Sequence, residues 1–281
     1  MTAHDLHPAV ITRLADARAR PRRLAIGVFD GVHLGHREVM RGADSVLTFD
    51  PPPAMVFGRV QGDHLLTTLQ QRVELVSELG VRELIVVDFD QDLAALSPEA
   101  FVATWLVGRL GVRHVDVGEN FRFGHRGLGT PDDLRRSAAF TTRVAPTVVH
   151  AGAPVSSTRI RTALRAGRLR ESAALLGRPP ELAGTLTTDG RRWLFVAGRH
   201  AIAPAPVPYD ARLTLDRRGQ GHAVTVVPDA DGFEIVSPMP DPPAGGVAPA
   251  PARLALLETP DDATGAGPAQ DDGVQTLGAS A

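Results

Sequence analysis

Short apolar runs alternate with longer amphipathic stretches over the first half of the chain. Leu24–Phe29, Ser45–Phe49, Glu83–Asp88, Arg113–Val117 and Arg143–Val149 are β-rich and read as strands. Thr68–Leu79, Pro98–Leu110 and Pro131–Ser137 carry helical spacing, and Ser97 before Pro98 is an N-cap followed by proline at the first helical position. This alternation predicts a parallel α/β sheet with ligands at the carboxyl ends of its strands. His33, Asp50 and Asn120 each follow a strand directly, so they should converge on that edge.

The pattern differs at both ends. Met1–Arg20 reads as a polar amphipathic helix without a signal-peptide core. Ser157–Leu176 reads as two helical segments parted by Gly167, after which Gly177-Arg178-Pro179-Pro180 breaks the chain. Trp193–Ala197, Ala211–Leu215, His222–Val227, Phe233–Val236 and Arg253–Leu257 are then short β runs between turns rich in Pro, Gly and Asp, which predicts a small all-β domain or barrel. Thr259–Ala281 has four aspartates and no basic residue, and is expected to be disordered. The expected division is an α/β domain over 1–182, a small β-rich domain over 183–258 and an acidic tail over 259–281.

Composition narrows the chemistry. With 281 residues, 43% hydrophobic and 22% charged, the chain is long enough for one large or two ordinary domains. A formal net charge of −2 gives no general attraction to nucleic acid or membrane. No apolar run approaches a membrane span, and the cytoplasm is the expected compartment. There is no cysteine, which excludes disulfides, thiolate nucleophiles and cysteine metal sites. There is also no lysine, so a Walker P-loop and a Schiff-base lysine are excluded; arginine, histidine, hydroxyls and backbone amides must handle any phosphate. The histidines at 64, 114, 125, 150, 200 and 222 show no metal-ligand spacing, and no protein metal site is expected.

The chemistry concentrates in Phe29-Asp30-Gly31-Val32-His33-Leu34-Gly35-His36, between a strand and a short helical pattern. Glycines there let the backbone turn tightly and approach a ligand. A helix N-terminus favours phosphate, and two imidazoles three residues apart can donate to a phosphoryl group whose charge is reorganising. This HxGH segment resembles the signature of the nucleotidylyltransferase superfamily.

Four further segments make the resemblance specific: Leu47-Thr48-Phe49-Asp50-Pro51, Leu66-Thr67-Thr68-Leu69-Gln70-Gln71-Arg72, Val117-Gly118-Glu119-Asn120-Phe121-Arg122-Phe123-Gly124 and Val155-Ser156-Ser157-Thr158-Arg159-Ile160-Arg161. Together, over about residues 22 to 182, they resemble the adenylyltransferase domain of the bacterial FAD synthetases, bifunctional riboflavin kinase/FMN adenylyltransferases. The resemblance implies a Rossmann-like nucleotidylyltransferase fold that converts ATP and FMN to FAD and pyrophosphate with Mg2+. It implies catalytic roles for His33, His36 and Arg159. It further implies ATP contacts from Gly27, Phe29, Asp30, Gly31, Asn120, Ser156, Ser157 and Thr158, and flavin contacts from Phe57, Arg59, Asn120 and Phe123. Read on their own, Ser156-Ser157-Thr158 can cap the following helix or hold phosphate oxygens. Arg165, Arg168 and Arg170 read as a solvated helix face. Phe121 and Phe123 alternate, so one faces the core and the other can flank a planar ring.

Three departures bear on function. The family commonly has His where this chain has Pro52, so a phosphate- or flavin-facing imidazole is lost. Only Gly31 to Asp44 joins the first two strands of the motif region, a tight parallel crossover. After Gly184-Thr185-Leu186 nothing resembles the Gly-Phe-Pro-Thr-Ala-Asn signature of the riboflavin kinase half, which reads as an eroded barrel. The expected activity is FMN adenylyl transfer without kinase activity. The alternatives are adenylyl transfer to another phosphorylated acceptor, or a non-catalytic nucleotide-binding paralogue. Expected partners are the small molecules ATP and FMN.

Overall fold

The computed structural model describes residues 9–59, 64–215, 221–237, 239, 248–258 and 275–276. They form two compact units: one of the described residues within 1–61, 69–154 and 274–281, the other of those within 62–68 and 155–273.

The first unit is built on a six-stranded sheet of β1 (Val10–Arg13), β2 (Arg22–Ile26), β3 (Ser45–Phe49), β4 (Glu83–Val87), β5 (Val112–Gly118) and β6 (Thr141–Ala145). Its order is β1-β4-β3-β2-β5-β6 and every pairing is parallel. Helices α1 (Leu34–Met40), α2 (Pro53–Val56), α3 (Leu69–Glu78), α4 (Gln91–Ala95), α5 (Pro98–Phe101) and α6 (Pro131–Arg135) connect the strands. Central strands covered on both faces form near-continuous apolar runs. Leu24, Val46, Leu47, Ile85, Val86, Val115 and Val117 are accordingly fully buried. This is the Rossmann-like parallel sheet that the alternation predicts.

Several local expectations change. Val10–Arg13 is an edge strand pairing with β4, where a helix is expected. Its apolar Val10 and Ile11 face outward, 65% and 45% exposed, so the amphipathic pattern reflected an unburied edge. The expected strand Arg143–Val149 splits at Pro146, which cannot donate to a ladder, into β6 and β7 (Val148–His150); β7 pairs antiparallel with β8 (Ala153–Pro154). Ser97 caps α5 as expected, its hydroxyl accepting from Ala100 N–H at 3.1 Å, but the helix continues over Val102–Arg109 with π-type winding. Of the acidic tail, only β15 (Gln275–Thr276), paired with β7, is described; the expectation of disorder otherwise lies outside the described residues.

In the second unit α7 (Ser157–Arg165) and α8 (Leu169–Leu176) are parted by Gly167, whose φ of 71° suits glycine. A closed barrel follows: β9 (Glu181–Thr188), β10 (Trp193–Ala197), β11 (Tyr209–Thr214), β12 (His222–Asp229), β13 (Gly232–Ser237) and β14 (Ala250–Glu258), in the order β10-β13-β12-β11-β14-β9. Strand β9 is not expected from the apolar pattern. Its polar Thr185, Thr187 and Thr188 and its Gly184 dilute the apolar signal, while Leu182 and Leu186 face the core. Gly184 is there for a close approach: a Cβ would lie 2.2 Å from the Val196 carbonyl oxygen. Phe195, Tyr209, Leu213, Val226, Leu254 and Leu256 are fully buried, and the Tyr209 hydroxyl donates to Ala205 O at 2.5 Å.

Candidate active site

The sheet order reverses between β2 and β5: the chain passes from β2 to β3 on one side, while β5 begins the other half. Such switch points leave a crevice at the carboxyl ends of the strands. The loops after β2 and β5, bearing His33 and Asn120, both start at this edge. Asn120 is exposed.

The turn after β2 is sharply shaped. Phe29, Gly31 and Val32 have φ of 52°, 88° and 42°. Glycine adopts such values freely; a β-branched valine does so only when its surroundings enforce it. Val32 is fully buried, its N–H donates to Phe29 O at 3.2 Å, and Phe29 is 3% exposed. Gly27 sits against the Phe29 ring, where a Cβ would come within 2.9 Å. His33 is the N-cap of α1: its Nδ1 accepts from His36 N–H at 3.3 Å. The imidazoles stack with centroids 3.5 Å apart and an interplanar angle of 18°. The Phe29 ring meets His36 edge-on at 5.3 Å. His33 is 5% exposed and Asp30 3%, so the turn is a packed feature of the unit.

Arg72, quoted above only as the end of a motif segment, holds this turn from beneath. The side chain is 1% exposed. Its Nη1 donates to Val28 O at 3.2 Å, Thr48 Oγ1 at 3.0 Å and Phe49 O at 3.2 Å, and its Nη2 to Asp50 Oδ1 at 3.0 Å. Thr48 Oγ1 also donates to Val28 O at 2.8 Å. Burial pushes the Arg72 guanidinium down from its ordinary value, opposed by the charges of Asp50 and Asp30. Charged side chains are rarely buried, so an arginine at this position carries no cue to the role in its type or spacing.

Beyond β3, Pro52 is buried and its carbonyl accepts from Met55 N–H at 2.9 Å as α2 begins. Phe57 and Arg59 lie just past α2, with the Arg59 guanidinium 5.5 Å from the Phe57 ring centre. Phe57 is 49% exposed. It meets Phe89 edge-on at 5.6 Å, and Phe89 meets Phe49 in the same manner at 5.6 Å. Phe89, which is not among the expected flavin contacts, lies just after β4 and so at the same edge. Phe123 lies in the core at 7% exposure, stacked against Phe121 at 5.7 Å and near Phe101 at 5.7 Å. Of the two alternating rings, the half-buried Phe121 therefore keeps accessible surface, whereas Phe123, the expected flavin contact, faces the core.

Ser156, Ser157, Thr158 and Arg159 belong to the second unit, His33 and His36 to the first. Ser156 is the N-cap of α7, its Oγ accepting from Arg159 N–H at 3.2 Å; Ser157 and Thr158 form the first turn rather than preceding it. Arg159 Nε donates to Glu171 Oε1 at 2.9 Å, and Arg168 Nε to Glu171 Oε2 at 2.8 Å. Burial pushes the Glu171 carboxyl up, but hydrogen bonds and charge from Arg168 and Arg159 outweigh it and hold it below its ordinary value. Arg161 is 9% exposed, with Nε donating to His64 O at 2.7 Å.

A parallel sheet whose switch point is edged by a stacked HxGH pair at a helix N-terminus has the Rossmann-like nucleotidylyltransferase architecture. Residues 15–159 match the FAD synthetase family, and the chain belongs to that family. It is 37% identical over 182 residues to the bifunctional riboflavin kinase/FMN adenylyltransferase of Listeria monocytogenes serovar 1/2a, covering 60% of this chain and 58% of that protein. It is 34% identical over 206 residues to the protein of the same name from Bacillus subtilis (strain 168), covering 68% and 63%. A putative bifunctional riboflavin kinase/FMN adenylyltransferase of Geobacillus thermodenitrificans is 41% identical over 167 residues, 56% of this chain and 89% of that protein. The chain thus spans about three-fifths of the length of the first two relatives. In fold it resembles a crystal structure titled as a macrolide-efflux protein from Streptococcus pneumoniae, with a TM-score of 0.77 over 89% of this chain and 99% of that one. At 23% identity that likeness concerns the fold alone. Among the described residues no helix is long and apolar enough to cross a membrane.

Proposed function

We propose that this chain transfers the adenylyl group of ATP to FMN, giving FAD and pyrophosphate, and does not phosphorylate riboflavin. The observation that carries the reading is the His33–His36 pair, stacked at 3.5 Å at the start of α1, in the loop that follows β2 at the switch point of the sheet. The FMN phosphate attacks the α-phosphorus in line; the new P–O bond forms as the bridge to the β-phosphate breaks, and pyrophosphate leaves. No covalent enzyme intermediate is needed, so catalysis rests on positioning and electrostatics. His33 and His36 bind the reacting phosphates, Asn120 orients a substrate, and Ser157, Thr158 and Arg159 hold the departing pyrophosphate. Phe57 and Arg59, backed by Phe89, suit a planar ring and its phosphate. In this reading the adenylyl-transfer domain is 1–182 and the barrel domain 183–258.

Mg2+ belongs to this reading as a companion of the nucleotide. Bound to a triphosphate, it needs only one or two carboxylates. Asp30, buried in the HxGH turn, is a carboxylate of that segment.

The missing kinase signature after Gly184-Thr185-Leu186 supports a chain without a kinase step. A second reading, adenylyl transfer to a different phosphorylated acceptor, draws on Pro52, buried where the family carries an imidazole. One assay separates them: purified protein with ATP and Mg2+, offered FMN, riboflavin or other phosphorylated acceptors in turn, followed by pyrophosphate and flavin analysis. FAD with stoichiometric pyrophosphate from FMN, and no FMN from riboflavin, is the expected result. Pyrophosphate with another acceptor but none with FMN selects the second reading. FMN formed from riboflavin overturns the absence of kinase activity. No release with any acceptor, with ATP binding intact, leaves a non-catalytic nucleotide-binding protein.

A further inference from the structure

The helix that carries His36 has seven residues and little intrinsic stability. Its C-terminal carbonyls are gripped from a neighbouring strand. Arg143, on β6, donates through Nη2 to Glu38 O at 2.8 Å and Val39 O at 2.9 Å. Its Nη1 reaches Glu38 Oε1 at 3.2 Å, and its Nε donates to Asp116 Oδ1 at 2.5 Å. Asp116, on β5, is fully buried and also takes Arg23 Nε at 2.9 Å and Arg23 Nη2 at 3.1 Å. His114 Nε2 stands 3.4 Å from the same carboxylate, and Arg41 binds Glu38 Oε1 at 2.7 Å. A guanidinium on the last carbonyls of a helix satisfies orphan acceptors and complements the negative end of its dipole.

We propose that Arg143, locked in place by buried Asp116, is a positioning residue that clamps the C-terminal end of α1 and so fixes His33 and His36 at the other end. The geometry sets the scale. A seven-residue helix is roughly 10 Å long, so a tilt of about 6° about the clamped end moves the far end by about 1 Å, a displacement that can cost up to about 10²-fold in rate. The short crossover between β2 and β3 leaves α1 no additional turn with which to anchor itself, and the clamp supplies the hold from outside it. The kinetic part of this inference rests on the proposed adenylyl transfer; the structural part does not.

The test uses full-length wild type, Arg143→Lys and the double variant Asp116→Asn/Arg143→Met, which removes the clamp without stranding a buried carboxylate. Amide hydrogen exchange over residues 36–41 and steady-state adenylyl transfer are both measured. In the double variant, exchange in α1 should quicken by about tenfold or more while α3 stays within about twofold of wild type. Turnover should fall roughly tenfold with the KM for ATP within about twofold, because the reacting geometry suffers more than ATP binding. Arg143→Lys keeps a cation on the helix carbonyls and should recover most of both losses. Unchanged α1 exchange in the double variant overturns the clamp, as does unchanged turnover in an active preparation. Quickened α1 exchange in a preparation without any transfer supports the clamp and overturns only the adenylyl-transfer reading. If the double variant fails to fold, Arg143→Met alone takes its place, with Arg23 still paired to Asp116: quickened α1 exchange with lowered turnover supports the clamp, and wild-type values of both overturn it.

Discussion

His33 Nδ1 accepts the backbone N–H of His36, and the two imidazole rings lie parallel, 3.5 Å apart. A backbone N–H can only donate, so Nδ1 bears no proton and the neutral ring carries its proton on Nε2. One contact therefore both starts the helix and selects the tautomer with an Nε2–H donor.

This dual role can be separated. Asparagine caps helices well, whereas alanine does not and costs about 1 kcal/mol at such a position. His33→Asn should melt near wild type and His33→Ala lower. Both, with His36→Ala, should lose about 10²-fold in adenylyl transfer, the scale of one preorganised donor. Thermal melts and initial rates on the same preparations check this; full rates in His33→Ala and His36→Ala together would refute the catalytic assignment.

Arg72 gives a stability prediction. Arg72→Met leaves Val28 O, Phe49 O and Asp50 without their shared donor, and breaking a buried charged network costs about 3 kcal/mol. Denaturant unfolding should show a midpoint shift of that size. A shift within error would mean that water replaces the guanidinium at no cost.

Asp116 predicts a pH dependence. Burial pushes its carboxyl up, but Arg23 and Arg143 outweigh burial and hold it below its ordinary value of 3.8. A depressed folded value stabilises the protein above the ordinary value, and the stabilisation is lost as pH falls from there through the folded value. Asp116→Asn should melt below wild type at pH 6, with the gap narrowing as pH drops under about 4. A gap independent of pH contradicts the assignment.

Pro52 tests the acceptor side. If FMN is the acceptor, Pro52→His should leave FMN binding similar or tighter in the presence of a non-reacting ATP analogue. Quenching of flavin fluorescence on titration reports it. No saturable FMN binding in either protein, with the analogue bound, favours another acceptor.

Much of the first unit was legible because its strands are short, apolar and separated by clear breaks. Ser45–Phe49 forms over those same residues, and the HxGH turn lies between strand and helix as its glycines require. The edge strand Val10–Arg13 was not legible, since four residues with an exposed apolar face carry no inward pattern. Strand β9 was hidden by its threonines and a packing glycine. At the site, the histidines announced themselves by spacing. Arg72 and Phe89 did not: one is a cation whose burial only the fold reveals, the other an aromatic that matters through its neighbours at the sheet edge.

Arg72 has one further consequence. Its guanidinium is bonded both to Val28 O, at the root of the HxGH turn, and to Phe49 O and Asp50, at the root of the loop leading to Phe57. In the proposed reaction, a nucleotide that shifts one root and an acceptor that shifts the other would share this guanidinium, so that each would alter the affinity for the other without touching it. Linkage is reciprocal: the factor by which the nucleotide tightens the acceptor must equal the factor by which the acceptor tightens the nucleotide.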